Sequence, residues 1–85
     1  MEEYSAAISY LEKVLEVQKK VLSTDSLILA NTYREIALVY YSAKDYSKAL
    51  SFFEHAYEIG EKVLPSNDRN LNILKDNIVE VREKL

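Results

Sequence analysis

Two stretches of this chain superimpose at a fixed offset, and no other feature restricts its fold as strongly. Tyr46-Ser47-Lys48-Ala49-Leu50-Ser51-Phe52-Phe53-Glu54 matches Tyr4-Ser5-Ala6-Ala7-Ile8-Ser9-Tyr10-Leu11-Glu12 at most positions, by identity or by exchange of apolar side chains. The same offset carries Glu16 onto Glu58, Lys20-Val21-Leu22 onto Lys62-Val63-Leu64, Leu29 onto Leu71 and Ile36 onto Ile78. A period of about 42 residues held without a gap is the signature of stacked supersecondary units. Each unit must bury its apolar face against a neighbour.

Within a unit the apolar spacing is helical. Tyr33, Ile36, Ala37 and Tyr40 recur at three- and four-residue steps, as do Tyr46, Ala49, Leu50, Phe53, Ala56, Gly60, Val63 and Leu64. The N-terminal counterpart is Tyr4, Ala7, Ile8, Leu11, Val14, Gln18, Val21 and Leu22, and the last stripe is Leu71, Leu74, Ile78, Val81 and Leu85. Thr24-Asp25-Ser26, Asp45 and Ser66-Asn67-Asp68 offer N-cap oxygens, and Pro65 lacks the N–H to continue a helix. The pattern predicts helices over 3–22, 26–43, 46–64 and 69–85, an all-α chain.

Composition excludes several function classes. With 85 residues, one Gly, one Pro and no Cys, the chain has no disulfide framework, no thiolate chemistry and no Gly-rich phosphate loop. A net charge of −3 argues against nucleic acid, which requires a basic stripe. No apolar run approaches the roughly 20 residues that span a bilayer. Charge and absent Cys fit a cytoplasmic location. His55 has no oriented partner to make it a base, and its counterpart is Lys13, so a surface or structural role is expected. Glu12, Glu16, Glu54 and Glu58 sit among Lys13, Lys19, Lys20 and Lys62, which reads as a solvated charged face. No catalytic, cofactor or metal site is expected.

Tyr33, Ile36-Ala37, Tyr40, Asp45-Tyr46, Ala49, Phe53 and Ala56 together resemble the signature of a tetratricopeptide repeat. Lys44 stands where that family usually has the Gly of the turn, and Ala37 where it has the Gly of the first helix. The ordinary repeat is about 34 residues. The longer period and the tail Ala56–Pro65 are similar to the kinesin light chain subtype. The resemblance implies a right-handed α-solenoid of antiparallel helix pairs. Its four helices would run B-A-B-A: 3–22 the second helix of a partial repeat, 26–64 a complete repeat, and 69–85 a first helix or cap. The runner-up fold is a non-repeat four-helix bundle, which the heptad spacing of 4–22 and 71–85 would also suit.

In the family, first helices line a concave groove that holds a peptide or partner helix. The resemblance places Asn31, Arg34, Glu35, Leu38 and Tyr41, then Ile73, Asp76, Asn77 and Glu80, on that wall. Tyr41 is expected to be an exposed recognition ring, whereas Tyr4, Tyr33, Tyr40 and Tyr46 occupy core slots. Asn77 matches the slot where the family grips a ligand backbone; Glu35 breaks that ladder in the intact unit. A clamp for a terminal carboxylate is not expected, since Asp76 and Glu80 would repel it. The implied function is a protein-interaction scaffold for a protein or peptide. The alternative is a self-assembling structural module, a homo-oligomer with a dimer favoured, and an engineered or truncated chain would fit the same pattern. In that reading Tyr4, Ile8, Leu11 and Leu15 form the uncovered self-association face, while Lys75, Arg82 and Glu83 make the other end a solvent-facing cap.

Overall fold

Local hydrogen bonds decide where the chain turns. A computed structural model describes residues 2–85, with side chains from Glu3 onward. It contains four helices: α1 (Glu2–Val21), α2 (Leu27–Ser42), α3 (Tyr46–Val63) and α4 (Arg69–Lys84). Ser26 caps α2 by accepting from the Ile28 N–H at 3.2 Å. Asp45 caps α3 through the Lys48 N–H, and Asp68 caps α4 through Asn70 and Leu71. Each cap satisfies backbone donors that a helix start leaves without an intrahelical partner. The turns before α2 and α4 repeat the period too. Ser26 N–H donates to the Ser23 carbonyl at 3.0 Å, and Asp68 N–H donates to the Pro65 carbonyl at 2.9 Å.

Between α2 and α3 the chain reverses in a tighter way. Lys44 N–H donates to the Tyr41 carbonyl and Asp45 N–H to the Tyr40 carbonyl, the paired bonds of a Schellman motif. That motif puts Lys44 at φ 65°, a left-handed conformation that suits Gly better than Lys.

The helices stack as a flat slab, 37 × 34 × 16 Å across its Cα atoms. α2 packs on α1 and α3, and α3 packs on α2 and α4. The centre is the α2–α3 hairpin, where Ile36, Ala37, Ala49, Phe53 and Ala56 are fully buried. The alanines let the two backbones approach, and the rings fill the remaining space. Tyr33 stacks on His55 with centroids 4.7 Å apart, and Tyr40 stacks on Phe52 at 5.6 Å. At the α3–α4 contact Gly60 permits a similar approach, since a Cβ there would lie 2.9 Å from Leu71 Cδ1. Its counterpart Gln18 instead accepts a 2.6 Å hydrogen bond from the buried Thr32 hydroxyl of α2.

The face expected to lie uncovered on α1 is in fact turned inward. Leu15 is 9% exposed and lies in the core, with Leu11 packed against it; Tyr4 and Ile8 are half-buried. These residues are therefore not an open face. The apolar side chains left in solvent on α1 are Tyr10, Val17 and Val21, at 68%, 61% and 74%, with half-buried Val14 between them. Their counterparts one period later are Phe52, Ile59, Val63 and Ala56. Of these, Phe52, Ala56 and Ile59 pack into the hairpin that α3 makes with α2. Thus α1 turns one half of a broad apolar arc towards α2 and leaves the half that α3 gives to its hairpin partner.

Equivalent positions should then differ sharply in cost. Ile59→Ala should lose about 2–5 kcal/mol in urea unfolding, whereas Val17→Ala should change stability by less than about 0.5 kcal/mol. Equal losses would contradict the packing. Lys44→Gly, relieving the left-handed backbone, should gain about 0.5–1 kcal/mol in the same assay; a loss would contradict the turn geometry.

Candidate functional site

α2 and α4 both pack on α3, one on each side of it. At the N-terminal ends a cleft of about 320 Å³ opens between Leu27, Asn31 and Arg34 of α2 and Asn70, Ile73 and Leu74 of α4. Ala56 and Gly60 of α3 form its floor, and their small side chains leave the room. Leu64, at the end of α3, closes one edge.

Of the nine residues expected on the wall, Asn31, Arg34 and Ile73 line this cleft. Asn31 and Arg34 form one hydrogen-bonded unit with Glu35. Arg34 donates to Asn31 Oδ1 at 3.0 Å, and Asn31 donates onward to Glu35 Oε1 at 3.2 Å. The chain of bonds orients the guanidinium and the amide before any ligand arrives. Ile73 and Leu38 are apolar side chains held in solvent, 44% and 39% exposed. Asp76 and Glu80 are exposed and Asn77 is half-buried on α4.

Tyr41 departs from expectation. Its ring is half-buried and meets Tyr46 edge-on at 5.4 Å, so it packs on the core rather than standing free. Burial pushes its hydroxyl above the usual 10, the nearby Glu80 carboxylate pushes the same way, and Lys84 opposes them. The Tyr41 end of the wall carries Glu80, with Lys84 close by, while Asp76 lies midway along α4, one period after Arg34. The wall is apolar and hydrogen-bonding around the cleft, and Asp76 and Glu80 are exposed acids on its α4 side.

Sequence reasoning missed Leu27, Asn70 and the Ala56–Gly60 floor as lining. The signal was the run of small residues on α3, which marks where a neighbour stands close and equally where a hollow remains. A second hollow, of about 420 Å³, lies over Leu29, Tyr33 and Ile59, with Lys19, His55, Glu58 and Lys62 among its rim residues. Its rim mixes both charge signs. Glu12 and Glu16 are exposed, and Glu54 pairs with Arg82 of α4 at 2.9 Å. Among the described residues no group of three His, Cys, Asp or Glu side chains could hold a metal ion. No helix among them is long and apolar enough to cross a membrane.

A family model for the tetratricopeptide repeat matches residues 1–62, covering α1, α2 and nearly all of α3. No curated protein matches the chain.

The Tyr41 environment sets a pH dependence. A phenol whose folded pKa lies above its unfolded value contributes stability that is complete below the unfolded value and lost as pH rises through the folded one. Tyr41 should therefore titrate above 10 when followed by its ring 13C resonance, and Glu80→Gln should move it part of the way back. A Tyr41 that titrates at or below 10 would contradict the contact.

Proposed function

The chain belongs to the tetratricopeptide repeat family, and from that premise we propose that it is a non-catalytic protein-interaction module whose concave α2–α4 wall takes a peptide or a partner helix. Repeats of this kind stack helix pairs into surfaces that bind other proteins. The observation that carries the reading is the cleft between α2 and α4, where the Asn31–Arg34–Glu35 network meets an apolar bed of Leu27, Ile73 and Leu74. A pre-formed hollow with a few oriented polar groups is the usual form of a recognition site.

The chemistry of the wall describes its ligand. Leu38 and Ile73 offer apolar contact, while Asp76 and Glu80 on α4 favour a positive charge beside it. A segment that carries both apolar residues and Lys or Arg complements both. Residues 26–64 form the complete repeat in this reading, and the 42-residue unit supports the longer, kinesin light chain-like subtype. The resemblance to that subtype concerns unit length and the linker and names no partner.

Isothermal titration against a library of peptides that combine two or three apolar residues with Lys or Arg should detect saturable binding. Because Ile73 is exposed, Ile73→Lys should leave the fold intact and weaken that binding about tenfold or more. Uniform silence across the library, or indifference to Ile73→Lys, would sink the proposal.

A further inference from the structure

At the floor of the cleft, α3 carries smaller side chains than α1 does one period earlier. Ala56 and Gly60 stand where α1 has Val14 and Gln18, whereas Leu64 repeats Leu22. On the facing helix, Leu74 stands where α2 has Thr32. At the first junction the Gln18 side chain crosses from α1 to α2 and accepts the 2.6 Å hydrogen bond from the Thr32 hydroxyl. Thr32 is only 4% exposed. At the second junction the same two positions, Gly60 and Leu74, border about 320 Å³ of open space. The side chain that bridges the first junction has no equivalent in the second.

From this comparison we infer that Gly60 is the residue that opens the cleft, and that the space above it seats one apolar anchor side chain of a partner peptide, of leucine or methionine size. The anchor takes the place beside Leu74 that Gln18 takes beside Thr32. Leucine and methionine match glutamine closely in length, which sets the size. Polarity sets the chemistry: the hydroxyl that satisfies an amide at Thr32 is replaced by the hydrocarbon of Leu74. An amide buried there would lose water and gain no partner from that position. Leu27, Leu64 and Ile73 continue the apolar lining. The polar groups of the cleft stand towards its rim, with Asn31 and Asn70 exposed and Arg34 tied to Asn31. Their remaining donors suit the peptide backbone on either side of the anchor. A Cβ on Gly60 would meet Leu71 Cδ1 at 2.9 Å and Leu64 Cδ1 at 3.8 Å, so any side chain there crowds the α3–α4 contact and the edge of the cleft together. The inference rests on the binding role proposed for the cleft and adds the anchor's chemistry and the residue that admits it.

The probes are two capped tripeptides, Ala-Leu-Ala and Ala-Gln-Ala, each titrated into the 15N-labelled full chain. The leucine peptide should give saturable shifts centred on the amides of Gly60, Ile73 and Leu74. The glutamine peptide should bind about tenfold more weakly or worse, the cost of an unpaired amide in an apolar site. Gly60→Gln, which installs the α1 residue, should abolish the shifts while circular dichroism still reports a folded helical protein. Gly60→Ala adds a single methyl group against the mobile ends of Leu71 and Leu64, and should weaken the leucine peptide severalfold even if Gly60→Gln does not fold. Equal affinity for the two peptides, shifts that persist unchanged in Gly60→Ala, or no saturable shift at all would overturn the inference. The two readings fail separately. Longer peptides that bind through Ile73 but ignore both Gly60 substitutions would overturn the anchor and leave the binding role standing. Tripeptide binding at Gly60 with silence from every longer peptide would do the reverse.

Discussion

Everything in this molecule hangs on the α2–α3 hairpin. Two helices approach closely because Ala37, Ala49 and Ala56 put almost no side chain between them, and the space at the margins is taken by rings. Tyr33 lies against Phe52 and His55, Tyr40 against Phe52 with the Lys48 ammonium 5.5 Å from its face, and Tyr41 against Tyr46. Aromatic contacts of this kind add modestly to the main stabilisation, which comes from apolar area removed from water. The outer helices each touch this hairpin on one side only: α1 leans on α2, and α4 leans on α3.

Being half-partnered has opposite consequences at the two ends. α4 resolves it with polarity, carrying Lys75, Arg82 and Glu83 in solvent and tying Arg82 to Glu54. Of its other exposed residues, Asn70 and Ile73 line the cleft, and Val79 stands in solvent. α1 keeps apolar side chains in solvent instead.

Helix positions were legible because their determinants are local. Ser26, Asp45 and Asp68 are the capping residues their chemistry suggests, and the predicted helices end within one residue of the observed ones. Long-range orientation was less accessible. Apolar residues cover about half of the α1 circumference, and spacing alone does not say which half meets α2. Tyr4, Ile8, Leu11 and Leu15 belong to the inward half, and Tyr10, Val17 and Val21 to the outward one. The repeat itself held the answer, through Phe52 and Ile59, but only once their contacts with α2 were visible. Tyr41 was misjudged for a related reason: the ring that covers it, Tyr46, arrives from the next helix across the tight turn at Lys44. The cleft floor escaped notice because Ala56 and Gly60 carry no chemistry of their own.

Native-state hydrogen exchange, read amide by amide, tests most directly whether the hairpin supports the rest. Amides in the middle of α2 and α3 should exchange only through global unfolding, with a single large opening free energy. Amides of α1 and α4 should open at lower free energy, through sub-global events that leave α2 and α3 protected. Protection that is uniform over all four helices, or greatest in α1, would contradict the hairpin's central place.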